Sequence, residues 1–263
     1  MDLGLRGKAA LVAASSRGLG RATAMELARE GAKVALCARN REELEAVAEA
    51  MRQETGAEVL AVPADLAKAA DIHGLVSAVE ARFGYVDILV TNAGGPPRGS
   101  FDDFDDAAWA RAWELTLMSA VRLIRAVLPG MKARRWGRIV NITSVSVKQP
   151  IRDLILSNAY RTAVVGLAKT LATELAPLGI TVNNVCPGWT LTDRVQELVG
   201  RQARQEGKPF EAVVEAITAG IPMGRMGKPE ELAALIAFLA SERAAYITGT
   251  TIPVDGGSVL GLL

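Results

Sequence analysis

The sequence predicts a doubly wound α/β protein, a parallel sheet with helices packed on both faces. Three observations carry this. Short apolar segments alternate with longer amphipathic ones along the chain. The short segments are apolar without clean alternation, the pattern of strands buried on both faces. Half of the 263 residues are hydrophobic, and α/β domains often run past about 200 residues as a single unit. The whole chain, 1–263, therefore reads as one domain.

The elements follow in order. Residues 8–14 read as a buried strand and 18–30 as a helix closed by Gly31. A second strand spans 33–37, a charged helix 41–54, a third strand 58–62 and a helix 69–83. Residues 86–91 are strand-like. A long helix is expected over 104–128, stopped by Pro129 and Gly130. Then come a strand at 137–143, a helix at 157–176 halted by Pro177 and Gly179, and a strand at 180–185. Residues 193–227 break the rhythm. This stretch is helical, charged and spaced by Gly200, Gly207, Gly220, Gly224 and Gly227. It reads as an insertion over one sheet edge, at about 190–227, and such segments often cover substrates in α/β enzymes.

Composition removes several function classes. Thirty basic residues face 29 acidic ones, a net charge of +1, so bulk charge points to neither nucleic acid nor a membrane surface. The longest apolar run, 232–240, is far short of the roughly 20 residues of a membrane span. No hydrophobic leader opens the chain, and a cytoplasmic protein is expected. Cys37 and Cys186 form no CxxC pair and read as buried strand residues. His73 is the lone histidine, in a helical stretch among ordinary charges. No metal cluster is expected, and no serine triad has a histidine placed to serve it.

The first strand runs into Ala14-Ser15-Ser16-Arg17-Gly18-Leu19-Gly20 and then a helix. A glycine-rich turn there lets backbone N–H groups approach a pyrophosphate at the helix N-terminus. Other segments join it in order: Asp65-Leu66, Asn92-Ala93-Gly94, the run from Ile139 to Ser144, Pro187-Gly188 with Thr190 and Thr192, then Ile221 to Arg225 and Val254 to Gly257. Together they resemble the short-chain dehydrogenase/reductase family, in its 3-oxoacyl-carrier-protein-reductase-like branch, over essentially the whole chain.

The resemblance implies a Rossmann fold and a nicotinamide dinucleotide. It assigns that ligand to Ser15, Ser16, Arg17, Gly18, Leu19 and Gly20, to Asp65 and Leu66 at the adenine, to Asn92, Ala93 and Gly94, and to Pro187, Gly188, Thr190 and Thr192 on the nicotinamide side. The second strand ends Leu36-Cys37-Ala38-Arg39-Asn40, with no acid for ribose hydroxyls. Arg39 and Arg17 instead suit a 2′-phosphate, so NADP(H) is expected over NAD(H). Ala14 stands at the family's first glycine, where a methyl is tolerable at negative φ.

The resemblance also implies hydride transfer at a carbonyl/hydroxyl pair, by serine, tyrosine, lysine and asparagine. Ser144 matches the serine. Ungapped spacing to Gly166-Leu167-Ala168-Lys169 puts Ser157 at the tyrosine position and Arg161 at the lysine position, and Thr116 falls at the asparagine. A serine hydroxyl is a far weaker acid than a phenol, and arginine is no base near neutral pH. Arg161 retains the means to hold a ribose or phosphate. Ser144, Ser157 and Arg161 are the candidate catalytic residues. Tyr160, next to Arg161, is expected to pack at the helix edge or a subunit contact. Lys148, Arg152 and Asp153 are charged loop residues, Arg98 is a candidate for an anionic substrate group, and Trp189 for a pocket wall. Two readings follow: an NADP(H)-dependent oxidoreductase on a small or acyl carbonyl substrate, or an NADP(H)-binding protein without turnover. A homotetramer, through the two long helices, is implied by resemblance alone.

Overall fold

The computed structural model describes residues 2–262. Its first half runs β1 (Ala9–Val12), α1 (Gly18–Arg29), β2 (Lys33–Ala38), α2 (Arg41–Thr55), β3 (Val59–Pro63), α3 (Ala69–Phe83) and β4 (Ile88–Thr91). The second half runs α4 (Asp106–Trp113), a π-helical turn (Glu114–Met118), α5 (Ser119–Arg134), β5 (Gly137–Ile142), α6 (Ile155–Leu175) and β6 (Ile180–Pro187). It closes with α7 (Asp193–Glu206), α8 (Phe210–Thr218), α9 (Pro229–Ala240) and β7 (Thr251–Val254). All seven strands are parallel, in the order β3-β2-β1-β4-β5-β6-β7. Among the described residues no helix is long and apolar enough to cross a membrane.

Strand residues alternate between two apolar layers, so neither strand face reads as polar. Ala10, Val12, Val34, Leu36, Ile88 and Val90 pack under α1, α2 and α9. Ala9, Leu11, Ala35, Cys37 and Leu89 pack under α3, α5 and α6. Cys37 and Cys186 are both buried. Helix ends follow local chemistry: Asn40 caps α2 by accepting from the Glu43 N–H, and α2 and α3 stop at left-handed Gly56 and Gly84.

A polar chain crosses the second half of the sheet. The Thr91 hydroxyl donates to Asn141 Oδ1 at 2.7 Å, and Asn141 Nδ2 to Asn184 Oδ1 at 3.0 Å. Asn184 Nδ2 donates to Thr251 Oγ1 at 3.1 Å, so four strands, β4 to β7, are linked through side chains. The buried Arg138 of β5 is likewise satisfied, by the carbonyls of Ser241, Gly137 and Gly179.

Two expectations on the long helix are corrected. It does not stop at Pro129-Gly130 but continues to Arg134. Met131, two residues past the proline, is fully buried in the core and packs against Gly137, and that burial outweighs the hydrogen bond lost at the proline. It is also not one uniform helix, because the π-helical turn at Glu114–Met118 interrupts it. At its start Trp109 packs, but Trp113 one turn on is left 38% exposed, so the two do not share one buried face.

Candidate active site

The chain leaves β1 outward through β2 and β3, then returns to place β4 on the other side of β1. Reversal of strand order at β1 and β4 splays the two following loops and opens a crevice at their carboxyl ends. The loop after β1 is the glycine turn, and the loop after β4 begins with Asn92-Ala93-Gly94. Asn92 Nδ2 donates to the Ala14 carbonyl at 3.4 Å, tying the two loops.

The turn is built for an anion. Gly18 has a φ of 56°, and a Cβ on Gly20 would lie 2.2 Å from the Ala14 carbonyl oxygen, so only glycine lets α1 sit this close. Its N-cap, Arg17, makes no side-chain cap bond, and the first turn of α1 holds no acidic residue. The N–H groups that a cap would satisfy are thus left for a ligand, where the helix dipole favours negative charge. The condition for an unstrained methyl at Ala14 is not met, because its φ is +50°. The strained turn is held by Ser15, whose N–H donates to the Cys37 carbonyl at 2.9 Å and whose hydroxyl accepts from the Cys37 N–H at 3.0 Å. Ser15 is fully buried, and neither it nor Ser16 faces the open cleft. Gly20 acts by its lack of a side chain.

The crevice continues into one cleft of about 410 Å³. Ala14, Arg17, Gly18, Leu19, Asn92, Ala93, Gly94, Ser144, Ser157, Arg161, Pro187, Gly188, Trp189, Thr190 and Thr192 all line it. The proposed cofactor turn and the three candidate catalytic residues therefore meet. Arg39, Asp65 and Leu66 lie outside this cleft, toward the ends of β2 and β3. Thr192 doubles as the N-cap of α7, and its side chain touches Gly18. Lys148, Arg152 and Asp153 do not line the cleft, whereas Arg98 does.

Ser144 lies two residues past β5 in extended conformation, and its oxygen accepts from the Ser146 N–H at 3.1 Å. Its own proton is left for the cleft. Arg161 reaches back from α6 to the end of β5. Its Nε donates to Ser157 Oγ at 3.2 Å, and its Nη1 to the carbonyls of Ile142 and Thr143 at 3.2 and 2.8 Å. Burial pulls its pKa down to about 10, with the Arg194 guanidinium adding to the effect. Behind it lies a cavity of about 20 Å³, room for one water, bounded by Asn92, Thr116 and Arg161. The Thr116 hydroxyl is buried there without a partner among the described residues. Tyr160 turns away and packs edge-on against Trp109, ring centroids 5.7 Å apart, where burial raises its pKa.

Sequence reasoning missed most of the apolar wall. Val145, Ile151, Leu154, Val195 and Leu198 line the cleft beside Trp189, and Asp193 and Arg194 join them from the first turn of α7. The clue was present in the amphipathic segment just after Thr192, but periodicity alone does not say which element that segment faces. Helices α7 and α8 share a small apolar cluster of Val199, Ala203 and Val213 with Ile221 and Met226.

Known proteins carry the same plan. The profile of the family described as enoyl-(acyl carrier protein) reductase matches residues 13–259. A D-β-hydroxybutyrate dehydrogenase of Rhizobium meliloti is 37% identical, over 95% of this chain and 98% of its own. The 3-oxoacyl-[acyl-carrier-protein] reductase of Pseudomonas aeruginosa is 36% identical, over 97% and 98%. Among solved structures, L-sorbose reductase from Gluconobacter frateurii, complexed with NADPH and L-sorbose, superposes with a TM-score of 0.96 at 36% identity, covering all of both chains.

Proposed function

The chain belongs to the short-chain dehydrogenase/reductase family, as an oxidoreductase of the 3-oxoacyl-carrier-protein-reductase-like branch, and on that premise we propose that it is an NADP(H)-dependent enzyme acting on a carbonyl/hydroxyl pair of a small or acyl substrate. The observation that carries the reading is the shared cleft: an uncapped helix N-terminus at one end and Ser144, Ser157 and Arg161 at the other. When bound, the nicotinamide would supply or take the hydride. The α1 N-terminus, Gly18, Leu19 and Thr192 would hold its pyrophosphate, and Pro187, Gly188 and Thr190 would flank its ring. Ser144 would donate a hydrogen bond to the carbonyl oxygen and polarise it.

Preference for NADP(H) rests on Arg39, exposed at the end of β2, and on Arg17 in the turn. Arg17 lies 3.7 Å from Glu197 of α7, a pair that a 2′-phosphate would have to compete with. The apolar wall suits an acyl chain or other hydrophobic substituent, with α7 and α8 as its lid and Arg98 at its rim. A homotetramer in the cytoplasm fits the family resemblance. The enzymes among the relatives favour turnover over the binding-only reading. The test is separate titration with NADPH and NADH by nicotinamide fluorescence, followed by a carbonyl panel. Tight NADPH binding and enzyme-dependent oxidation are expected, with Ser144→Ala lowering turnover by about 10²-fold. Wild-type turnover in Ser144→Ala would remove the polarising role.

A further inference from the structure

We propose that the proton delivered to the substrate oxygen comes from the Ser157 hydroxyl, with the Arg161 guanidinium holding the charge left behind, so that this cleft gives protons but does not take them at neutral pH. The inference rests on the carbonyl/hydroxyl reading above and assigns its missing proton donor.

The geometry is a division of hydrogen bonds. Three of the five Arg161 N–H groups are committed, one to Ser157 Oγ and two to the carbonyls of Ile142 and Thr143, which lock the guanidinium plane against the end of β5. Among the described residues no protein acceptor takes the Nη2 protons. Ser157 Oγ receives its bond from a charged donor and, among the described residues, gives its own proton to no acceptor, so that proton is free for a ligand in the cleft. A charged donor on the oxygen stabilises the serine alkoxide over the alcohol.

No base is among the ionisable groups acting on Arg161, and Asp193 in the first turn of α7 is the carboxylate that lines the same cleft. Arg194 of α7 and Cys186 of β6 are the ionisable groups acting on Arg161, and Lys148 of the β5–α6 loop acts on Cys186. Among the described residues no carboxylate pairs with Arg161. Burial pushes the Cys186 thiol up, and the Thr143 hydroxyl already contacts its sulfur at 3.1 Å. Tyr160 faces Trp109 and not the cleft.

In the reducing direction the carbonyl carbon gains the hydride and its π pair moves to oxygen. That oxygen bonds the Ser157 proton as the Ser157 O–H bond breaks. The serine alkoxide sits beside Arg161 until solvent at the cleft mouth returns a proton. The net change is a carbonyl, a hydride from the reduced nicotinamide and one solvent proton becoming an alcohol. Arg161 is charged below about pH 10 and loses that charge above it. Reduction should therefore be flat from about pH 6 to 9 and decline beyond. Since one proton is consumed, flat reduction requires oxidation to rise about tenfold per pH unit over that range.

The experiment uses the full chain, with acetoacetyl-CoA, L-sorbose and an aromatic aldehyde as carbonyl probes. Rates are followed from pH 6 to 10.5 for wild type, Ser157→Ala, Ser157→Thr and Tyr160→Phe. NADPH dissociation constants come from fluorescence, and the Arg161 Cζ titration from ¹³C-arginine NMR without substrate. Ser157→Ala should lose about 10²-fold in reductive kcat/KM while NADPH affinity stays within twofold. Ser157→Thr, which keeps a hydroxyl, should recover part of the loss, and Tyr160→Phe should change neither. Undiminished reduction in Ser157→Ala, a reductive profile falling with a midpoint below pH 8, or an Arg161 titration below pH 8 would each overturn the proposal alone. A wild type that oxidises NADPH with no carbonyl would overturn the oxidoreductase reading, and this proposal with it.

Discussion

Ala14 holds a φ of +50° in the cofactor turn, a conformation that costs an L-residue about 1–2 kcal/mol. Ser15 and Asn92 fix the turn on either side and hold the strain in place. Ala14→Gly should relieve that strain, offset in part by the flexibility glycine adds to the unfolded chain. A net stabilisation of about 0.5–1 kcal/mol is expected from thermal or urea unfolding, together with tighter NADPH binding as the methyl leaves the cleft. An unchanged or lowered melting temperature would show that the turn is relaxed as it stands. The candidates Ser157 and Arg161 came from the family resemblance, aligned without gaps from Ser144, and the structure brings all three to one cleft. The direction of the guanidinium was not legible in the sequence. Whether an arginine points to solvent or back to two strand carbonyls depends on what the adjacent strand end leaves unpaired.

Among the elements, the α/β alternation was legible because each strand is apolar on both sides and each helix is longer and mixed. The errors fell where tertiary burial overrode a local signal, as with Met131 beyond Pro129. Strand β7 was reached only through the resemblance at Val254 to Gly257, and α9 was not among the elements read from the pattern, since it is apolar almost throughout and has little period to read. Its first turn supports a pH test. Arg225 makes two hydrogen bonds to the Glu231 carboxylate, and the Lys228 N–H adds a third. They hold the carboxyl down to about 2. A depressed folded-state pKa stabilises above the unfolded value of about 4.3 and is lost as pH falls toward 2. The stability gap between wild type and Glu231→Gln should be complete at pH 6 and close between about pH 4.3 and 2, read from urea midpoints. A gap that does not vary with pH would mean the ion pair contributes nothing to folding. The polar chain through β5 makes a larger prediction. Asn141→Ala leaves Thr91 and Asn184 each short of a partner in a dry layer. A loss of about 2–4 kcal/mol is expected in urea unfolding.

For the molecule as a whole, strand order decides function more than any single side chain, since the reversal at β1 and β4 opens the crevice that both loops line. That order was not written in the periodicity, which fixes which segments are strands but not their neighbours. Charge across the cleft supplies a whole-molecule prediction, because Arg17 on the turn and Glu197 on α7 come from segments distant in sequence. Glu197→Gln should free Arg17 and tighten NADPH, while Arg39→Asp should weaken NADPH about tenfold or more and bring NADH nearer to parity. Equal effects on the two dinucleotides, measured by fluorescence titration, would argue that neither arginine meets the 2′-phosphate. The side-chain chain from Thr91 to Thr251 has one more consequence. It works as a combination lock: sliding any of its four strands by one residue would misalign the donors and acceptors together. Among the described residues no side-chain chain runs through the strands from β3 to β1, where the polar ties are Ser15 to Cys37 past the end of β1 and Asp87 to Ala9 at its start, so the apolar residues between them can tolerate more drift. The half that carries Ser144 is pinned in its alignment by hydrogen bonds as well as by shape.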